Sequence, residues 1–166
     1  MPATHATGLY IFSLQRQESA DLGKVFLTLY NPLTSGTVMS IGGVFTSCMS
    51  VKACPPYPLR GYRIVVEPTG GTLHTTAEIA AADTKVFNPT MVVRSNAPTV
   101  SAFGAAVFNS PPATVANTVQ STQQTDLPPG FNPFLIRPGE GIALKQDIGS
   151  DGVFWNLSIV WRQLRG

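Results

Sequence analysis

Along the run VFWNLSIVWRQL, residues 153–164, Trp155, Leu157, Ile159 and Trp161 fall on every second position, with Asn156, Ser158 and Arg162 between or beyond them. Successive side chains of an extended backbone point to opposite faces, so this period of two predicts a half-buried strand with two indoles anchoring a core. Gly166 follows four residues after Arg162, and the expectation is that this strand lies inside its sheet with no tail beyond it. Four more runs rich in β-branched and aromatic residues occupy 8–14 (GLYIFSL), 24–31 (KVFLTLYN), 37–45 (TVMSIGGVF) and 62–68 (YRIVVEP), each bounded by Gly, Pro, Asn or Ser. Their connections are too short for crossover helices, which predicts antiparallel strands.

The connections carry signals of their own. In NPLTSGT, 31–37, Pro32 and Gly36 stand where a chain leaving one strand must reverse, so a hairpin is expected there. In FLIRPGEGIALKQD, 134–147, Pro138 followed by Gly139 has the form of a type II turn, because Pro presets φ and Gly accepts a positive one; it predicts a corner leading into a strand. Gly42-Gly43 inside a strand pattern predicts a bulge or a close backbone approach. TTAEIAAADTKVF, 75–87, reads either as one helical turn with a Thr/Glu start or as a further strand. The polar, proline-rich stretch 109–132, with one short strand expected at 114–120, is a long excursion of the kind used for binding. No segment repeats at a period of 20 to 50 residues, which argues against solenoids and propellers. The expectation is an all-β antiparallel β-sandwich of jelly-roll type with about eight strands, residues 8–166 forming one domain behind a flexible N-terminal arm, 1–7.

Composition changes this picture in one respect. Only 12% of the 166 residues are charged while 43% are hydrophobic, and charged residues normally supply about 25% of a globular chain. With a mean hydropathy of +0.13, the surface must be built from hydroxyls, amides, Gly and Pro, and such a surface resists association less than a charged one. Self-assembly or docking on a partner is therefore expected. The formal net charge of +2 comes from cations scattered among acids, with no clustered basic stripe, so no nucleic-acid partner is expected. No run approaches the length of a membrane span, and MPATHATGLY lacks both a basic region and an apolar signal core; no membrane association and no cleaved export are expected. Cytoplasmic synthesis favours free thiols at Cys48 and Cys54 over a disulfide, and nearby ligands to complete a zinc site are lacking.

Candidate chemistry is sparse. Glu140 has no obvious second carboxylate to form an acid/base pair, so it belongs to the turn. His5 sits in the arm, and His74 lies in GGTLHTTAE, where hydroxyls are so common that a neighbouring one carries no information; a Ser-His-Asp arrangement is recognised by geometry. Gly70-Gly71 lacks the helix and Lys of a phosphate loop and reads as a turn. No enzyme activity, cofactor, metal or small-molecule substrate is expected. The candidate partner contacts are the arm residues Met1, Pro2, Ala3, Thr4 and His5, and the loop aromatics Tyr57 and Phe131, read as plugs of an oligomer seam over a sugar platform.

Three segments together carry a family resemblance. LYNPLTSGTVMSIGGVF resembles the strand, Asn-Pro, Ser-Gly, strand pattern of small virion proteins of tailed bacteriophages, PTMVVRSNAPTV resembles their middle segment, and FLIRPGEGIALKQD with the final aromatic strand resembles their close. From about residue 8 the chain looks like a capsid decoration (cement) protein or a related head-exterior protein. The resemblance implies a jelly-roll homotrimer seated on the outside of the major capsid protein shell, clamping neighbouring capsomers after synthesis in the host cytoplasm, with no enzyme chemistry and no cofactor. The alternatives are another virion part, such as a head-fibre base or a tail component with receptor contact, or a carbohydrate-binding module, or a hydrolase.

Overall fold

The computed structural model describes residues 6–18, 23–50, 59–81, 89–109, 123–125, 134–147 and 153–165. These contain the strands β1 (Ala6–Glu18), β2 (Val25–Asn31), β3 (Thr37–Ser50), β4 (Leu59–Ile64), β5 (Thr72–His74), β6 (Ala80–Ala81), β7 (Val92–Ser95), β8 (Ala106–Asn109), β9 (Gln123–Thr125), β10 (Phe134–Ile136), β11 (Glu140–Gln146) and β12 (Val153–Arg165), with one 3₁₀ turn at Thr76–Glu78. Two six-stranded sheets pack together as an antiparallel β-sandwich. One runs β10-β3-β12-β1-β6, with β9 also on β3; the other runs β5-β7-β2-β11-β4-β8. The twelve strands exceed the expected eight mainly because β5, β6, β9 and β10 span only two or three residues, too few to display a period.

Strand β12 lies between β1 and β3, inside its sheet as expected. Trp155, Leu157, Ile159 and Trp161 are all buried, and they form one core with Phe26, Leu27 and Leu29 of β2 and Ile142 and Leu144 of β11. The Gly42-Gly43 expectation also holds: Gly43 is opposite Val160 and Ile41 opposite Trp161, so Gly42 is the extra residue of a bulge. Strand β2 is buried at all seven positions. Its outer face, with Val25 and Tyr30, joins Ile64 and Ala143 in a second small cluster that Val92 and Val100 complete. The segment holding Val100 is fastened alongside β4 by hydrogen bonds from Gly104 N–H to Arg63 O (2.8 Å) and from Arg63 N–H to Ala105 O (3.2 Å).

Every strand pair among the described residues is antiparallel, and none joins two consecutive strands. The first strand pairs with the last, β2 with β11, β3 with β12 and β10, and β4 with β11 and β8. The stretch 31–37 is therefore not a hairpin; it carries the chain from one sheet to the other. Asn31 is the reason it stays there. Its fully buried side chain donates from Nδ2 to the carbonyl oxygens of Thr37 (2.8 Å) and Ile136 (3.3 Å), bracketing two inter-sheet corners with one amide. The second corner is the Pro138-Gly139 turn, which has the expected form: Gly139 has φ +84°, Glu140 N–H donates to Arg137 O (3.0 Å), and Gly139 N–H donates to Asn31 O (2.8 Å).

Other boundaries also differ from the sequence reading. Strand β4 starts at Leu59 and stops at Ile64, so Val65 and Val66 leave the sheet; Ile64 is opposite Gly141, and beyond it the partner strand has turned into its corner. Strand β1 begins at Ala6, two residues inside the expected arm, where Ala6 is opposite Leu164. The stretch 75–87 contains both expected alternatives in sequence, a 3₁₀ turn and then β6. The strand expected at 114–120 lies outside the described residues, and the described part of the 109–132 excursion includes β9.

Candidate functional site

The partner contacts expected from the sequence, Met1, Pro2, Ala3, Thr4, His5, Tyr57 and Phe131, lie outside the described residues, as does Cys54. Glu140 is engaged in its turn: Oε2 accepts the Arg137 N–H (2.9 Å) and Oε1 pairs with Arg63 Nη1 (3.0 Å). The Arg63 guanidinium in turn lies over the Phe134 ring at 5.0 Å. Among the described residues no three His, Cys, Asp or Glu side chains are grouped to hold a metal ion, and no helix is long and apolar enough to cross a membrane. Three other surface features remain.

The first is a charged and aromatic cluster on β4 and β11. Register places Lys145 opposite Arg60, and Asp147 just beyond β11 gathers both with Tyr62. Its Oδ2 accepts from Arg60 Nη1 (2.9 Å) and Tyr62 Oη (2.8 Å), and its Oδ1 pairs with Lys145 Nζ (3.2 Å). The Lys145 ammonium also lies 4.8 Å from the Phe103 ring and 5.6 Å from that of Tyr62. Burial by itself pushes the Asp147 carboxyl up, but the Tyr62 hydroxyl, Lys145 and Arg60 together outweigh it and hold the group below its usual range. A carboxyl depressed on folding stabilises the fold above its unfolded value, about 3.9, and that contribution is lost as pH falls below this through the folded value. Because the pair is partly exposed, the effect is small, up to about 1 kcal/mol. Urea titrations of wild type and Asp147→Asn are expected to differ at neutral pH and to converge in acid below about pH 4; parallel curves at all pH would show that Asp147 contributes nothing through its charge.

The second feature closes one side of the sandwich. Residues 72–81 leave β5 at the edge of one sheet, make the 3₁₀ turn, and reach β6 at the edge of the other, with Ile79 buried in the core between them. His74 is the fastening point. Its Nδ1 is 3.1 Å from Glu78 Oε1, its Nε2 is 2.7 Å from Ser95 Oγ, and its ring centroid is 4.6 Å from that of Phe12. Glu78 is itself held: Oε2 accepts the Thr75 N–H (2.6 Å) and the Thr75 hydroxyl (3.1 Å). These bonds, the Thr75 N–H foremost and then His74, keep the Glu78 carboxyl below the ordinary carboxylate range. An ionised carboxylate only accepts, so in neutral His74 the proton sits on Nδ1 and Nε2 is left to accept from the Ser95 hydroxyl. The spacing of His74 and Glu78 is visible in HTTAE; Ser95 arrives only through the register that sets Thr72 opposite Ser95 and His74 opposite Val93.

The third feature is apolar. Leu33 is 77% exposed, Val65 62% and Val66 49%. All three lie at one end of the sandwich, where β2 and β4 finish and β11 begins, since Asn31 is opposite Glu140 and Ile64 opposite Gly141. The start of β1 belongs to the same end: Ala6 is opposite Leu164, and Arg165 is opposite Thr37 at the close of the 31–37 corner. Comparison with known proteins found no matching family model, no matching curated protein and no matching solved structure.

Proposed function

We propose that this protein is a structural virion component that binds the outside of an assembled bacteriophage capsid as a homotrimer and stabilises contacts between capsomers. The observation that carries the reading is the exposed apolar trio Leu33, Val65 and Val66 at the sandwich end where β1 begins, on a chain with a charged fraction of only 12%. Exposed apolar side chains at one end of a sandwich offer a surface that a partner can cover. The nested pairing of first strand with last and second with second-to-last supports a jelly-roll reading of the sandwich, and the three sequence segments that resemble decoration proteins fall on the end of β2 and on β3, on β7 and its flanks, and on β10 to β12.

Cement function is a multivalent effect. Three footprints joined in a trimer dissociate only when all three release, so the overall affinity exceeds that of any one contact by a large factor. A ligand of the assembled lattice also stabilises that lattice by mass action. Purified protein mixed with empty shells is expected to saturate them at a fixed ratio per capsomer, and native mass spectrometry to show a trimer. The triple variant Leu33→Ser, Val65→Thr, Val66→Thr should keep its melting behaviour, since exposed substitutions usually change stability by about 0.5 kcal/mol or less. If each footprint loses roughly tenfold, the bound trimer weakens by up to about a thousandfold. Shells that never saturate would reject the cement reading; saturation unaffected by the triple variant would move the footprint elsewhere on the surface.

A further inference from the structure

The geometry points to Ser95 as a base-activated nucleophile able to take an acyl group from small esters, with His74 as the base and Glu78 as the residue that positions it. The proposal does not depend on the virion reading. Serine hydroxyls are weak nucleophiles until a neighbouring base removes the proton, and the diagnostic arrangement is a hydroxyl within hydrogen-bond reach of an imidazole that a third group orients. Here Oγ to Nε2 is 2.7 Å and Nδ1 to Oε1 is 3.1 Å. The ionised state of Glu78, secured by Thr75, selects the one neutral tautomer of His74 in which Nε2 can act as a base. The imidazole also packs against the Phe12 ring, which limits its rotation.

The step balances with an ester and water alone. Ser95 Oγ bonds to the ester carbonyl carbon as its proton passes to His74 Nε2; the carbon–oxygen bond to the alcohol then breaks, and the departing oxygen takes that proton. Water reverses the sequence: it gives one proton to Nε2 as its oxygen bonds to the acyl carbon, the Ser95 ester bond breaks, and Oγ recovers the proton. The products are a carboxylic acid and an alcohol. Substrate size follows from access. Ser95 is only 5% exposed and pairs with the three-residue edge strand β5, which restricts the class to acyl groups as short as acetyl.

The test uses the full chain with two probes of acetyl size, methanesulfonyl fluoride and p-nitrophenyl acetate. Intact mass should show one adduct on the folded protein, peptide mapping should place it on Ser95, and the rate should exceed that of the urea-unfolded chain by about 100-fold or more. Ser95→Ala should remove the adduct. Glu78→Gln presents an amide that can donate to Nδ1 and so favours the wrong tautomer; it should slow labelling by about 100-fold or more, with no recovery at higher pH. Mapping on the unsubstituted protein decides the matter even if a variant fails to fold. No adduct at Ser95, or equal rates for folded and unfolded chain, would reduce the trio to a brace across the sandwich edge.

Discussion

Trp161→Ala lowers the free energy of unfolding by about 3–5 kcal/mol, the cost of removing a large aromatic side chain from a close-packed core. Trp161 is fully buried on the central strand β12, and its ring stacks on Tyr10 of the neighbouring β1 at 5.7 Å between centroids and 26° between planes. The loss reaches both sheets, because the same core includes Phe26, Leu29 and Leu144 from the facing sheet. Whole domains are stable by only about 5–15 kcal/mol, so the variant sits near the limit of folding at ambient temperature. In a chain of this size the melting temperature should fall by roughly 6–20 °C. The indole Nε1 is buried and has no hydrogen-bond partner among the described residues, which itself costs about 1–3 kcal/mol. Trp161→Phe removes that donor along with part of the ring, and the two effects offset, so it should cost less than about 2 kcal/mol. Urea unfolding followed by circular dichroism measures both. An alanine variant within about 1 kcal/mol of wild type would mean that the inner face of β12 is not where the core lies.

Gly141→Ala should destabilise by about 1–3 kcal/mol or more, although it adds one methyl group. Gly141 is buried at the start of β11, between Tyr30 of β2 and Ile64 of β4. A methyl carbon there would overlap the carbonyl oxygen of Leu29 and come within 3.0 Å of Tyr30 Cα and of an Ile64 side-chain carbon. Two of those obstacles are backbone inside a paired strand, so relief requires moving the β2–β11 ladder. Gly36→Ala is the control: its φ is +62°, but nothing lies within 4 Å of the added carbon, so its cost is conformational alone, about 1–2 kcal/mol. A Gly141 variant that leaves the amide exchange of β2 unchanged would show that the two strands are not as close as this register requires.

The two predictions draw on different kinds of information. Trp161 was legible as a core residue from the alternation of β12, because a period of two is written in neighbouring residues and needs no partner to be read. The Pro138-Gly139 corner and the Gly42 bulge were legible for the same local reason: each rests on the φ preference or the missing side chain of one residue. The inter-sheet role of 31–37 was not. Pro32 and Gly36 say that the chain turns, and nothing near them says whether the next strand pairs with β2 or crosses to the other sheet. That choice is made by Asn31, whose buried amide grips Thr37 and, 105 residues further on, Ile136.

The candidate sites divide along the same line. Low charge and the hydroxyl-rich composition indicated a surface prone to association, but the expected contacts in the arm and at Tyr57 and Phe131 lie outside the described residues. The exposure of Val65 and Val66 follows from β4 ending where β11 turns its corner, and the run YRIVVEP alone reads as unbroken strand. The sequence by itself determined an all-β chain, the buried face of its last strand, and where it bends. Tertiary structure alone decided which strands pair, which apolar side chains are left in solvent, and that Ser95 meets His74. Turn and strand preferences act between neighbours, whereas pairing and side-chain convergence depend on register between segments far apart in the chain, for which no local preference exists.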